Sequence, residues 1–194
     1  MSNIKVGIIG VGNCAQSLVE GVQYYITNPS DTVGLMYPDI GGYTVNDIQF
    51  VVGFDVDRRK VNRPLHDALR AKPNCAMYHV EKIDNTCVAP TAMVHSGPEL
   101  DGVAAHMLDY PEDVSFRTGA ESAKSFDDIV EIVKQSEVDV LINYLPVGSE
   151  KATKFYVDVA LAAKVHFVNC IPTLIDTNTT KIIEKKFIDS GLTI

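Results

Sequence analysis

A chain of 194 residues, 46% hydrophobic and 22% charged, has ordinary globular usage and enough length to bury a substantial core. Its formal net charge of -8 argues against a nucleic-acid surface or an anionic membrane as partner, because both need clustered Lys and Arg. No segment approaches the roughly 20 apolar residues of a membrane span.

Residues 4–9 (IKVGII) are a continuous apolar run, the pattern of a strand buried on both faces. From Asn13 to Ile26, Ala15, Leu18, Val19, Val22 and Ile26 keep to one helical face. Asn28-Pro29-Ser30-Asp31 supplies the turn that ends this helix. Residues 28–47 are rich in Gly and Pro without a period and read as an insertion loop. The second strand lies in DIQFVVGFDVD (47–57) and finishes in acids. Residues 58–124 give weak boundaries: a short helix near 64–71, strand-like runs at 77–80 and 91–95, and a helix attempt at 100–107.

The pattern sharpens at Ser125, which caps a predicted helix to about Ser136 with Phe126, Ile129, Val130 and Val133 on one face. VDVLINYL (138–145) reads as a buried strand, with Pro146 to Ser149 forming the loop at its carboxyl end. A helix over 149–163, a strand VHFVNCI (165–171) and a helix over 178–189 closed by Gly191 follow. Leu192-Thr193-Ile194 opens one more strand, and because termini normally lie in polar, exposed segments, a piece of a longer protein is expected. The alternation predicts an α/β fold over residues 1–194: a doubly wound, Rossmann-like parallel sheet covered on both faces.

The spacing Gly10-x-Gly12-x-x-Ala15 follows a strand and opens a helix, the context a dinucleotide-binding turn requires. The first glycine permits the tight turn, the second lets backbone approach a pyrophosphate, and Ala15 is small enough for close helix–strand packing. The helix N-terminus then offers free N–H groups and the positive end of its dipole. A plain structural βα corner is the alternative. Asp55, at the end of the second strand, is the candidate acid for ribose hydroxyls. It lies 45 residues beyond Gly10 rather than the usual interval of about 20, and the 28–47 insertion accounts for the excess. An acid there favours NAD, while Arg58 and Arg59 directly after it leave NADP open. Asp57 reads as a solvated turn residue.

Ligands of such sheets lie beyond the carboxyl ends of strands. This brings in Asn143, Tyr144, Pro146, Gly148 and Ser149 of one strand-end loop, with Asn169 and Pro172 of the next. Helix capping by Ser149 and turn-making by Pro172 are the structural alternatives. Cys14 is either a thiolate stabilised at a helix N-terminus or a small buried packing residue, and without a neighbouring histidine the second is preferred. Cys14, Cys75, Cys87 and Cys170 form no CxxC and are expected as reduced thiols of a cytoplasmic protein. The five His residues have no metal-ligand spacing, so no metal is expected.

VGNCAQSLVEGVQYY, GLMYPDIGGYTVNDIQFVVGFDVD, GPELDG, VDVLINYLPVGSEKATKFY and VHFVNCIP, in this order, resemble the actinobacterial and archaeal branch of the inositol-3-phosphate (myo-inositol-1-phosphate) synthases. The 28–47 insertion is part of that likeness. The resemblance implies an NAD-dependent isomerase of inositol and phospholipid biosynthesis, cytoplasmic and tetrameric. It converts D-glucose 6-phosphate to 1D-myo-inositol 3-phosphate without net redox change. Oxidation at C5, enolisation, aldol attack of C6 on the C1 aldehyde and return of the hydride are its four steps, so the cofactor has to stay bound and oriented throughout. Carried onto matching positions, Gly10, Gly12, Asn13, Cys14 and Ala15 hold the pyrophosphate and Asp55 the adenosine ribose. Tyr144, Pro146, Gly148 and Ser149 border the cofactor, with Asn169 and Pro172 nearer the nicotinamide and Tyr156 a further cofactor candidate. At 62–64 (Asn-Arg-Pro) the chain departs from the family, which often has a polar or acidic residue in place of Pro64. The family's catalytic lysines lie in a later domain, so no catalytic residue is assigned and the chain by itself is expected to be inactive. A dehydrogenase of the homoserine or dihydrodipicolinate reductase type, and a non-enzymatic dinucleotide-binding module, are the competing readings.

Overall fold

The computed structural model describes residues 3–119, 123–175 and 181–194. Five parallel strands, β1 (Ile4–Ile9), β2 (Ile48–Asp55), β3 (Val94–Ser96), β4 (Val140–Asn143) and β5 (His166–Asn169), lie in the order β3-β2-β1-β4-β5. β1 is flanked on both sides, pairing Ile8 with Gly53 of β2 and with Ile142 of β4. That explains the apolar run over residues 6–9, buried on both faces, while Lys5 at the amino end reaches out to Glu137. The strand order reverses direction around β1, which makes its carboxyl end the topological switch point where ligands of such sheets sit.

Five helices, α1 (Asn13–Thr27), α2 (Leu65–Ala68), α3 (Phe126–Gln135), α4 (Glu150–Ala163) and α5 (Ile182–Asp189), are present among the described residues. Phe50, Phe54, Phe167 and Phe187 are fully enclosed and anchor the core. None of the described helices is long and apolar enough to cross a membrane. α3 starts on a capping box in which Ser125 and Asp128 bond each other's backbone N–H. It buries Ile129, Val130 and Val133, while Phe126 stays partly exposed and meets Phe155 of α4 edge-on at 5.6 Å.

α1 buries Ala15, Val19 and Val22 as its apolar spacing predicts, and it also buries Gln16, Glu20 and Gln23. The Glu20 carboxylate accepts from Gln16 Nε2 (3.1 Å), Arg70 Nε (3.1 Å) and the His79 N–H (2.7 Å). Burial pushes its pKa up, but these donors and the Arg70 charge outweigh that and hold it below the usual range. Gln23 bonds the Lys82 carbonyl and the Asp84 N–H. Side chains of α1 and Arg70 thus hold the 77–84 segment, so the strand expected at 77–80 does not form.

The other strand expected in this region forms as β3, shifted toward Ser96. The helix expected at 100–107 is a 3-10 turn at Ala105–Asp109. Residues 28–44 hold no helix or strand, only an isolated bridge between Ile40 and Tyr43. Positions 178–180 of the last predicted helix lie outside the described residues. The expected opening strand at 192–194 amounts to one backbone bond, from the Phe167 N–H to the Thr193 carbonyl (3.0 Å), beside β5.

Candidate functional site

The carboxyl ends of β1, β2 and β4 converge on a cavity of about 310 Å³, within the size range of small-molecule sites. Its floor is the turn from β1 into α1. Gly10 has φ +84, and a Cβ on it would lie 2.8 Å from the Tyr144 carbonyl oxygen, so the turn accepts only glycine there. The Gly10 N–H donates to the Phe54 carbonyl (2.8 Å) and pins the turn across to β2. Gly12 is the N-cap of α1, in extended backbone, and a Cβ built on it would meet nothing within 4 Å. No side chain caps α1 and its first turn carries no acid. Among the described residues the first N–H groups of α1 have no partner, and with the positive dipole end they stand beside open space, which fits a phosphate group.

Asp55 closes the β2 side. Its Oδ2 accepts from the Val11 N–H inside the turn (2.8 Å), and its Oδ1 from the N–H groups of Val56 and Asp57 (2.8 Å each). The long sequence interval thus ends in one hydrogen bond between acid and turn. Asp57 corrects the expectation of a solvated turn residue. It is fully buried, accepting from the Arg59 side chain and from the Arg59 and Arg117 N–H groups. Burial acts to raise its pKa, and the Arg59 and backbone donors bring it below the ordinary value. Arg59 also reaches the Ser115 carbonyl, and Arg58 pairs with Glu112. The cause is the adjacent Arg59 together with the returning 111–117 segment, which adds the Arg117 N–H to Asp57.

The far wall comes from β4 and α4. Tyr144 is half-buried; burial, with the Cys170 and Cys14 thiols beside it, pushes its pKa up to about 12. Tyr156 is almost fully enclosed against Phe54, ring centroids 5.7 Å apart, and burial raises its pKa strongly. Ser149 is the N-cap residue of α4 yet makes no side-chain cap bond; among the described residues its buried Oγ has no partner. The cap comes instead from Asp101, whose carboxylate accepts from the Lys151 N–H (2.7 Å) and the Ala152 N–H (3.1 Å). Asn143 is buried and links Thr153 Oγ1, Asn169 Oδ1 and the Leu145 N–H, fixing the strand-end loop.

Of the residues selected from sequence, Gly10, Gly12, Asn13, Asp55, Tyr144, Pro146, Ser149 and Tyr156 line the cavity together. Cys14, Ala15, Gly148, Asn169 and Pro172 are outside its lining. Ala15 is buried beneath the turn, and Asn169 spends its amide on the Ile171 and Thr173 carbonyls. Cys14 is exposed rather than a buried packing residue, at the start of α1 within reach of Tyr144; Cys87 is the buried cysteine, its pKa raised to about 12 by burial.

Sequence reasoning missed Lys60, Asn74, Pro73, Asp101 and Phe116 on the wall. All come from the region 58–124, where periodicity is weak and long-range contacts decide position. Among the described residues no three His, Cys, Asp or Glu side chains group as metal ligands. The arrangement offers an anion cradle, an acceptor for hydroxyls and an apolar wall, the needs of a dinucleotide.

No family model matches the chain. Inositol-3-phosphate synthases from Mycobacterium tuberculosis and Mycolicibacterium smegmatis are each 43% identical to it, over 100% and 98% of its length. The Corynebacterium glutamicum inositol-3-phosphate synthase is 42% identical over 100% of the chain. The chain spans about half the length of these relatives, 49%, 49% and 50%. Among solved structures, that of Ari2 superposes with a TM-score of 0.77 at 30% identity, over 98% of this chain and 52% of that one. A myo-inositol-1-phosphate synthase-related protein from Thermotoga maritima has the same fold, with a TM-score of 0.65 at 18% identity over 98% and 53% of the two chains. Over its whole length, then, the chain is homologous to an N-terminal portion of the inositol-3-phosphate synthases.

Proposed function

We propose that this chain is the NAD-binding portion of an inositol-3-phosphate synthase, the isomerase that turns D-glucose 6-phosphate into 1D-myo-inositol 3-phosphate. The observation that carries the reading is the junction of Asp55 with the glycine turn, which sets a hydroxyl acceptor beside the uncapped N-terminus of α1. Gly10, Gly12 and Asn13 cradle the pyrophosphate, with Ala15 keeping α1 close to the sheet and Cys14 at the rim. Asp55 takes the adenosine ribose. Tyr144, Pro146 and Ser149 border the cofactor and Tyr156 backs it, while Gly148, Asn169 and Pro172 shape the loops on the nicotinamide side. NAD is favoured over NADP because the Asp55 carboxylate repels a 2′-phosphate and Arg59 is committed to buried Asp57.

When bound, NAD supplies a reversible hydride acceptor; the protein's part is to hold it fixed between the oxidation and the return. Glucose 6-phosphate as substrate, a cytoplasmic location and a homotetramer belong to the same proposal, resting on the relatives' names and the family resemblance. Calorimetric titration of wild-type chain and Asp55→Ala with NAD+ tests it. The variant is expected to bind at least about tenfold more weakly, the scale of a lost charged hydrogen bond, and an unchanged affinity contradicts the assignment. Residues 1–194 by themselves are expected to form no inositol phosphate from glucose 6-phosphate and NAD+; product formation refutes that part.

A further inference from the structure

The cavity wall contains a buried cation. Lys60, just after β2, is 3% exposed and lines the cavity beside Asp55. Its Nζ donates to the Val11 carbonyl (2.7 Å) and to Asn74 Oδ1 (2.7 Å), and stands 4.0 Å from Asp55 Oδ2. Asn74 is fixed in turn, its Nδ2 donating to the Val11 and Leu69 carbonyls. An ammonium carries three N–H bonds, and Lys60 has only these two hydrogen-bond acceptors among the described residues. Burying such a charge is costly, and an apolar side chain would fill the space without that cost. Desolvation pulls the Lys60 pKa down, with Asp55 and Asp57 acting against it.

Asp55 is the complement. A carboxylate offers about four acceptor positions, and the N–H groups of Val11, Val56 and Asp57 occupy three. One acceptor position and one donor therefore remain side by side on the wall. Each hydroxyl of a neutral vicinal diol can donate and accept, so one can give its proton to Asp55 while the oxygen of its neighbour takes the Lys60 N–H.

We propose that Lys60 and Asp55 form a donor–acceptor clamp for the cis-diol of the adenosine ribose, with Lys60 in direct contact with the ligand. This rests on the dinucleotide reading above. The competing role for Lys60 is purely structural, tying the glycine turn to the Asn74 loop. The two roles respond differently to loss of a single ligand hydroxyl.

The test is calorimetric titration of wild type and Lys60→Met with NAD+ and with analogues lacking the adenosine-ribose 2′- or 3′-hydroxyl. Lys60→Met is expected to weaken NAD+ binding by about ten- to a hundredfold, as for a hydrogen bond to a charged group. For one of the two analogues the same substitution is expected to cost much less, because the partner oxygen is already missing and contacting groups are not additive. An equal loss for all three ligands overturns the clamp and leaves Lys60 structural. Equal wild-type affinity for NAD+ and both analogues overturns it as well. Should Lys60→Met not fold, the Nζ resonance of 15N-labelled Lys60 in the wild-type protein decides. It is expected to shift with NAD+ and with only one of the analogues, and the same response to all three ligands overturns the proposal. A wild-type chain that binds no NAD+ removes the dinucleotide reading and the clamp together.

Discussion

Gly10 holds φ +84 with the Tyr144 carbonyl 2.8 Å from where its Cβ would be, whereas a Cβ on Gly12 would meet nothing within 4 Å. Both are glycines of one fingerprint, yet the fold requires a glycine at the first, while among the described residues nothing crowds a side chain at the second. Gly10→Ala is expected to lower stability by roughly 1–3 kcal/mol, the scale of a non-glycine residue forced into strained backbone, seen as a fall in melting temperature without any ligand. Gly12→Val is expected to cost no more than about 1 kcal/mol, the loss of a favoured N-cap residue, while abolishing NAD+ binding. The reverse pattern, a destabilised Gly12→Val that still binds, would contradict this division. Asp57 shows the limit of reading single residues. Nothing local in DVDRR separates a solvated acid from a buried one; its partner Arg117 lies 60 residues away.

At the scale of elements, α3 and α4 show which ends are readable. Ser125 and Asp128 stand three apart in the chain, so the cap of α3 is local and was legible. α4 begins at a serine that does not cap it, and its carboxylate cap comes from Asp101, 50 residues before Lys151. Asp101→Ala is therefore expected to cost about 0.5–2 kcal/mol, the usual loss of an N-cap. Ser149→Ala removes only a hydroxyl with no partner and should be near neutral in the absence of ligand; denaturant unfolding of both variants checks the order, and Ser149→Ala as the more damaging change would refute it. The strands were readable for a related reason. β1 and β2 carry the apolar runs 6–9 and 50–54 because those stretches are buried on both faces, whereas β3 pairs over only Val94–Ser96 and leaves little pattern. Of the eight wall residues found from sequence, seven sit at strand ends, turns and helix starts, where punctuation is strong; Tyr156, inside α4, came from the family resemblance. Lys60, Asn74 and Asp101 sit in loops placed by long-range bonds.

For the whole molecule, Glu20 and Asp57 tie separate segments together and share one pH signature. Their folded pKa values are depressed below 4.5 and 3.8. A depressed carboxylate contributes stability that is complete above its unfolded pKa and is lost as pH falls through its folded one. The melting temperature is thus expected to hold near neutrality and to fall below about pH 4.5. Asp57→Asn should lower it at pH 7 and make the acid loss shallower; an unchanged pH profile would argue against the Asp57–Arg59–Arg117 tie. The same tie holds the 111–117 segment whose Phe116 lines the cavity, so global packing and the site are joined. The central claim is that the switch point of this sheet is a dinucleotide site. Titrating the wild-type chain with NAD+ in a calorimeter tests it most directly. One saturable site per chain, with NADP+ binding more weakly, is the predicted result, and no heat up to roughly millimolar NAD+ would contradict it.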